Sequence, residues 1–290
     1  MQSRLQLRAG SPRRGLLRRG VAAVATAAVV SAAVISGASA VQSKVPAAPN
    51  LALPDQCELD LAVSLDMSLS ITDEQLRRMK QEVGDLAHAL TDYPIRLAIH
   101  DFASNAPAHP SNGFLPLTGL ADGGAETVAD HVDGLLRAPR NKYYTNWDQA
   151  MVAVGSSGED YHGLIFVTDG DPTRHGSPAQ GSGSGTSVAD ITEAVRSANA
   201  LKAQGTRVIG MGVADTIRGT DLDRFREHMS QISGPVQGAD YHVADFATLK
   251  ETIVDIVDAS CAGVSPSRTP RSPASTTPWT TTSPRPTSAA

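Results

Sequence analysis

The apolar positions of the chain recur with two different periods, and each period is typical of one kind of secondary structure. Period-two or continuous apolar runs predict strands near residues 59–66, 95–102, 164–167, 208–213 and 241–243. Apolar positions at three- and four-residue spacing predict helices near residues 72–90, 125–137, 146–154, 188–201, 220–232 and 246–256. Strands that alternate with helices imply crossover connections. The pattern therefore predicts an α/β fold, with a doubly wound, mostly parallel central sheet and helices on both faces.

Local signals refine this prediction. Thr72 and Gln75 stand three residues apart at the start of the first predicted helix, and this spacing fits a capping box. The run 164–167 is apolar at every position, as expected of a central strand that is buried on both faces. Residues 170–186 are rich in glycine and serine, and they predict a long loop after that strand.

Charge is distributed unevenly along the 290 residues. Residues 1–40 contain six arginines and residues 262–290 contain three, and neither segment contains an acidic residue. Residues 41–261 therefore carry 16 basic against 30 acidic residues, a net charge of −14. Such a body is a poor candidate for binding a nucleic-acid backbone and a plausible candidate for binding cations. We expect no nucleic-acid partner.

The N-terminal segment predicts export. Residues 1–40 combine a basic start, an apolar stretch and the small residues Ala38, Ser39 and Ala40, as in a cleaved signal peptide. An uncleaved anchor is the alternative, and the pair Arg13–Arg14 hints at the twin-arginine route. We expect an extracellular or cell-surface protein that has no transmembrane span once the signal is removed.

The C-terminal segment predicts a disordered tail. Residues 262–290 contain six serines, seven threonines and six prolines, too few apolar positions for a core. This composition suits either a flexible spacer or an O-glycosylated stalk. Residues 41–56 are expected to be a linker. The run 115–119, Leu-Pro-Leu-Thr-Gly, matches a sortase signal but lacks the following apolar segment and basic end, so we interpret it as coincidental.

The only two cysteines bracket the region between signal and tail. In an exported protein, a disulfide between Cys57 and Cys261 is permitted, and it could stabilise the fold by about 5 kcal/mol on the chain-entropy model. Metal binding by the two thiols is the alternative, but the sequence has no Cys-x-x-Cys or histidine cluster to support it. The pattern favours a disulfide, and a single folded domain over residues 57–261.

Oxygen-bearing side chains stand at three junctions between predicted strands and helices. Asp66, Ser68 and Ser70 follow the first strand, Thr145 precedes a helix, and Asp169 follows the buried run. Open parallel sheets bind ligands at the carboxyl ends of their strands. Hydroxyl and carboxylate oxygens are ligands that hard divalent cations prefer, and Mg²⁺ commonly keeps waters beside few protein carboxylates. The sequence predicts a divalent metal site.

These segments, Asp-x-Ser-x-Ser, Thr and Asp, resemble the metal-ion-dependent adhesion site of the von Willebrand factor type A (vWA) family. The resemblance extends over residues 57–261 and implies a Rossmann-like three-layer fold. It implies Mg²⁺ or Mn²⁺, in preference to Ca²⁺, as the bound ion. Ser68, Ser70 and Thr145 would contact the ion directly or through water, and Asp66 and Asp169 would act mainly through water and hydrogen bonds.

The resemblance also implies a partner. One position on the ion stays open in the family, and adhesive relatives fill it with an acidic side chain of a partner protein. Leu69 stands where relatives often have glycine, so it could narrow the approach or add an apolar contact. Tyr143, Tyr144 and Trp147 could form an aromatic contact surface or pack the helix start. Asp171 could add charge to the site or cap the loop.

The leading functional hypothesis is a secreted or surface-displayed adhesion module that grips an exposed Asp or Glu of a protein partner through the metal. A structural domain for envelope assembly, with metal-independent binding, is the alternative. A metal-dependent hydrolase fits less well, because position 68 is serine where aspartyl-phosphate chemistry would require a second aspartate. The motifs also contain no histidine or lysine that could serve as a base. We expect no enzymatic activity.

Overall fold

A computed structural model describes residues 45–214 and 217–262. The expected signal peptide at residues 1–40 lies outside the described residues, as does the expected tail apart from Ala262. Within the described residues, no helix is both long and apolar enough to cross a bilayer.

Six strands form one sheet in the order β3-β2-β1-β4-β5-β6. The strands are β1 Leu59–Asp66, β2 Ile95–Phe102, β3 Leu115–Gly119, β4 Gly163–Thr168, β5 Arg207–Val213 and β6 Tyr241–Ala244. Every neighbouring pair is parallel except β2 and β3, which are antiparallel. The expected mostly parallel sheet is confirmed.

Helices cover both faces of this sheet. They are α1 Asp73–Ala89, α2 Gly124–Gly134, α3 Trp147–Gly155, α4 Val188–Ala203, α5 Gly219–Ile232 and α6 Leu249–Cys261. Apolar residues of α1, α2 and α6 pack with Leu61 and Val63 of β1 on one face. Apolar residues of α3, α4 and α5 pack with Ala62 and Phe166 on the other face. The three-layer α/β architecture expected from the sequence is confirmed. It forms because both faces of the sheet are apolar, and each face is buried beneath a layer of helices.

Strand β3 was not predicted from the apolar pattern. It is a short edge strand that contains Pro116, and its side chains are only partly buried, so it carries neither a continuous nor an alternating apolar signal. The backbone N–H of Leu117 donates to the carboxylate of Glu159, at 3.0 and 3.1 Å to its two oxygens. The run that matches a sortase signal is therefore the edge strand of the sheet, within the folded domain.

The start of α1 follows the predicted capping box. Thr72 Oγ1 accepts a hydrogen bond from Gln75 N at 3.2 Å, and Thr72 N donates to Gln75 Oε1 at 2.9 Å. Helix α2 is shorter than expected: it ends at Gly134, whereas the apolar spacing had extended it to residue 137. Residues 135–146 therefore form an irregular segment, and this segment supplies part of the candidate site.

The segment before β1 and the two cysteines tie the ends of the domain together. Cys57 and Cys261 form the expected disulfide, which joins the start of β1 to the end of α6. Residues 45–56, expected as part of a linker, form no helix or strand but contact the domain. The Asn50 side-chain amide donates to Val208 O at 2.9 Å and accepts from Val208 N at 3.1 Å. Leu53 packs against the core.

Candidate metal centre

The candidate site lies where the connections from two central strands diverge. Strands β1 and β4 are neighbours; the chain leaves β1 towards β2 on one side and leaves β4 towards β5 on the other. Such a switch point leaves a crevice at the carboxyl ends of the strands, where ligands bind in this kind of sheet. Asp66 is the last residue of β1, and Asp169 follows directly after Thr168, the last residue of β4.

A chain of hydrogen bonds joins the two aspartates through Ser68 and Ser70, and Thr168 adds a further bond to Asp66. Thr168 Oγ1 donates to Asp66 Oδ2 at 2.7 Å, and Ser68 N donates to Asp66 Oδ1 at 2.8 Å. The hydroxyls of Ser68 and Ser70 lie 2.9 Å apart. Ser70 Oγ in turn donates to Asp169 Oδ1 at 2.7 Å. The structure thus brings four of the five expected ligand residues into one cluster.

The cluster holds more negative charge than its surroundings compensate. Asp66 is fully buried, and this burial together with the nearby Asp169 carboxylate raises the pKa of Asp66 to about 7. Burial also raises the pKa of Asp169 to about 6, although the hydrogen bond from Ser70 opposes this. Both shifts are those of carboxylates in a medium of low dielectric constant, which disfavours the ionised form.

A bound divalent cation fits this donor set. Among the described residues, no group of three or more His, Cys, Asp or Glu side chains is placed to hold a metal ion. An ion here would therefore depend on hydroxyl oxygens, with the two carboxylates supplying the charge. Hydroxyl and carboxylate oxygens suit Mg²⁺ or Mn²⁺ better than they suit a soft metal.

Thr145, the fifth expected ligand residue, lies on the neighbouring loop and is buried. Leu69 N donates to Tyr143 O at 2.9 Å, and this bond joins the serine loop, residues 67–72 between β1 and α1, to the irregular segment 135–146 that contains Thr145. The carbonyl of Thr145 accepts from Thr173 N at 2.9 Å and Arg174 N at 3.0 Å. The backbone on both sides of Thr145 is therefore held between the serine loop and the loop that follows β4.

Arg137 is a residue of the site that the sequence analysis missed. Its Nη1 donates to Ser68 O at 2.8 Å, and its Nη2 pairs with Asp73 Oδ1 at 3.1 Å. Its positive charge also opposes the rise in the pKa of Asp169. No motif or spacing marks Arg137, because its contact with Ser68 joins positions 69 residues apart. It fixes the serine loop from outside the motif.

The candidate partner-contact residues differ in accessibility. Leu69 is 55% exposed, so its side chain is available to a partner beside the serines. Tyr143 and Tyr144 are half-buried, with ring centroids 4.8 Å apart, and the Arg174 guanidinium lies 4.5 Å from the Tyr144 centroid. Trp147 is fully buried.

Of the two alternatives for Trp147, packing at the start of the helix is the one that the structure has, and Trp147 is not available as a partner contact. Its ring packs edge-on against Phe166 and Phe225, with centroids 5.6 and 6.3 Å away, because the start of α3 is covered by Phe225 of α5.

Asp171 forms contacts within the domain: Arg224 Nε lies 3.0 Å and His228 Nδ1 lies 2.8 Å from its carboxylate oxygens. It ties the loop after β4 to α5.

The fold and the site together define a doubly wound α/β domain with an oxygen-lined crevice at its switch point. Residues 60–255 match the family model of the von Willebrand factor type A domain. This match covers more than half of the chain, and the chain therefore belongs to the vWA family.

Solved structures share this fold at low sequence identity. A D319A mutant of the minor pilin PilB from Streptococcus sanguinis is 11% identical over 70% of this chain and 61% of its own, with a TM-score of 0.52. Proximal thread matrix protein 1 from the mussel byssus is 19% identical over 71% of this chain and 49% of its own, with a TM-score of 0.47.

The pilus adhesin SpaC from Lactobacillus rhamnosus GG is 17% identical over 74% of this chain, with a TM-score of 0.49. The match covers 31% of SpaC. The chain thus spans less than two thirds of each of these three proteins, and at these identities the likeness concerns the fold alone. A comparison with curated proteins finds no significant match.

Proposed function

We propose that this protein is a secreted or surface-displayed binding module that holds a protein partner through a divalent cation. The observation that carries the proposal is the hydrogen-bonded chain from Asp66 to Asp169, which places a buried carboxylate, a half-buried carboxylate and two serine hydroxyls in one crevice. A cation would relieve the electrostatic cost of that arrangement.

Each residue of the site has a definite task in this proposal. The hydroxyls of Ser68, Ser70 and Thr145 would hold Mg²⁺ or Mn²⁺, and Asp66 and Asp169 would supply charge and orient the hydroxyls. When bound, the ion would offer an open coordination position to an Asp or Glu carboxylate of the partner. Because the aspartates reach it mainly through water and hydroxyls, the ion would keep much of its attraction for that carboxylate.

The proposed location rests on the disulfide and the expected signal. A disulfide that joins the two ends of a domain persists in an oxidising compartment, as found outside the cytoplasm. A minor pilin with the same fold is compatible with an envelope or extracellular role, but at 11% identity it supports the proposal only through its fold.

We also propose that the site is not catalytic. The hydroxyls of Ser68 and Ser70 bond to one another and to Asp169. In the described part of the chain, no histidine is among their hydrogen-bond partners. A serine nucleophile requires an adjacent base that can take its proton and return it to a leaving group.

The test is capture of a partner from extracellular and envelope material. The full chain serves as bait in Mg²⁺ and in EDTA, beside a double variant, Ser68→Ala with Ser70→Ala, and a control, Ser111→Ala, which removes an exposed serine hydroxyl that is not one of the expected ligands. We expect a partner that is retained by the wild type and the control in Mg²⁺ only. A partner retained equally in EDTA and by the double variant would contradict the metal bridge and indicate a metal-independent assembly domain.

A further inference from the structure

A separate cavity of about 340 Å³ lies at the edge of the sheet beside β2. Strand β3 pairs with β2 only as far as Ile99, so the last residues of β2 have no strand on that side. His100 and Asp101 of β2 line the cavity, together with Phe114 from the following loop and Ser156 and Ser157 after α3. None of these residues belongs to the metal site.

Asp101 is a buried carboxylate, and only one of its two oxygens has hydrogen-bond partners. It is 3% exposed, and its Oδ2 accepts from Ala108 N and Asn112 Nδ2, both at 2.8 Å. Its Oδ1 is buried and has no hydrogen-bond partner among the described residues. A buried oxygen left without a partner is costly, so this atom calls for a donor or a cation.

The surroundings of Asp101 add further negative potential. Helix α3 ends at Gly155, and Ala153, Ser156 and Ser157 at this end line the cavity. Ser156 caps the Val152 carbonyl through its N–H and its hydroxyl, and the partial negative charge that remains at a helix C-terminus favours cations. The described lining includes no lysine or arginine that could neutralise this potential.

Two aromatic rings form another wall. The rings of His100 and Phe114 stack with centroids 5.1 Å apart and an interplanar angle of 10°. Burial lowers the pKa of His100 to about 4, so the imidazole is neutral at physiological pH and does not repel a cation. Phe114 is 44% exposed and lines the cavity, so its ring offers an aromatic surface to a bound group.

We propose that this cavity binds an organic monocation, a guanidinium or ammonium group, with Asp101 as its counter-ion. Such a group donates several hydrogen bonds, pairs with a carboxylate and is attracted to an aromatic face. A divalent metal ion suits the lining less well, because Asp101 supplies its one carboxylate and an oxygen of that carboxylate already accepts two hydrogen bonds. The group can belong to an arginine or lysine side chain of a protein or to a free amine.

The test is a titration of the ¹⁵N-labelled full chain in EDTA, followed by NMR. The probes are n-butylguanidinium, n-butylammonium and, as an uncharged control of the same length, n-butanol. We expect saturable shifts of the Gly113 and Phe114 amides with both cations and none with the alcohol. Asp101→Asn keeps an acceptor for Ala108 and Asn112, and it should raise the dissociation constant of the cations about tenfold or more. Asp130→Asn, an exposed control, should leave it unchanged.

Several outcomes would overturn the proposal: no saturable shift with either cation, equal shifts with n-butanol, or an Asp101→Asn variant that binds within twofold of the wild type. If Asp101→Asn does not fold, Phe114→Leu replaces it, and an unchanged dissociation constant would then count against the site. A second arm uses acetyl-Gly-Arg-Gly-amide. Binding of this peptide supports the site and indicates that the cationic group of the natural ligand belongs to a protein side chain. Binding of n-butylguanidinium without binding of the peptide supports the site and indicates that the natural ligand is a free cation.

Discussion

At the scale of single residues, the charge of the metal site is its most informative feature. Asp66 and Asp169 lie at the carboxyl ends of adjacent strands, and each carboxylate makes the ionised form of the other less favourable. Natural domains tolerate such repulsion where a ligand or ion compensates for it. The stability of the domain should therefore depend on the ion and on both aspartates together.

The first prediction concerns Asp169→Asn, which removes one charge but keeps an oxygen to accept the hydrogen bond from Ser70. In EDTA at pH 8, where both wild-type carboxylates are ionised, we expect the free energy of unfolding of the variant to be higher by on the order of 1 kcal/mol, and its unfolding temperature to be higher too. A concentration of Mg²⁺ 100 times its dissociation constant should stabilise the wild type by about 2.7 kcal/mol, and it should not stabilise the variant.

The matched control is Asp122→Asn, at an exposed position whose φ of 53° suits asparagine as well as aspartate. It should leave the response to Mg²⁺ unchanged. Thermal unfolding followed by circular dichroism measures both effects. A lower unfolding temperature for Asp169→Asn in EDTA would contradict the account of an uncompensated pair.

The second prediction concerns pH. Burial lowers the pKa of His100 to about 4, whereas the unfolded residue titrates near 6.5. Between these values only the unfolded chain takes up the proton, so the native imidazole makes the domain less stable as the pH falls. The stability of His100→Phe relative to the wild type should be constant above pH 7 and should rise by up to about 3 kcal/mol towards pH 4.

Urea unfolding of both proteins at a series of pH values measures this difference. Comparing the two proteins cancels the contributions of Asp66 and Asp169, whose raised pKa values act in the opposite direction. A difference that does not change with pH would contradict the assignment of a buried, neutral His100.

Residue positions could be predicted from sequence where the signal is local. Asp66, Ser68, Ser70 and Asp169 stand at or just after the ends of two strands, so strand prediction alone placed them at one edge of the sheet. Arg137 could not be found in this way, since its contact with Ser68 depends on how the segment after α2 folds back. Trp147 was ambiguous because its burial is decided by Phe225, which is distant in sequence.

At the scale of elements, the serine loop is held between β1 and α1, so the start of α1 helps to set its geometry. The capping box at Thr72 begins two residues after Ser70. An irregular start of this helix would loosen the loop that carries both hydroxyls. The helix cap therefore contributes to the site as well as to stability.

The third prediction tests that cap. Thr72→Ala removes the acceptor for Gln75 N, and we expect it to lower the free energy of unfolding by about 1 kcal/mol. Thr91→Ala is the control, because its hydroxyl bonds to carbonyls at the other end of the same helix. Urea unfolding in EDTA compares the two variants. An equal or smaller loss for Thr72→Ala than for Thr91→Ala would contradict the role of the cap.

Elements were predictable where the apolar period was strong. The five parallel strands and six helices are buried on regular positions, and each could be located to within a few residues of its observed bounds. Strand β3 could not, because an edge strand with Pro116 and half-exposed side chains leaves no period to detect. The end of α2 was also misplaced, since the apolar residue Leu135 continues the helical spacing after the helix has ended at Gly134.

At the scale of the whole molecule, the two ends of the sheet differ: a disulfide crosslinks the chain at one end, and the candidate metal site lies at the other. The disulfide joins the start of β1 to the end of α6, and the crevice lies at the opposite, carboxyl ends of β1 and β4. A bridge there restrains the chain without restricting the ligand-binding end. This arrangement suits a module that meets its partner at one end of the sheet.

The most direct test of the central claim is calorimetric titration of the metal-stripped full chain with Mg²⁺. We predict that one ion binds per chain, that the double variant Ser68→Ala with Ser70→Ala loses this binding, and that the control Ser111→Ala retains it. Absence of Mg²⁺ binding by the wild type, or equal binding by the double variant, would contradict the assignment of the crevice as a metal-dependent binding site.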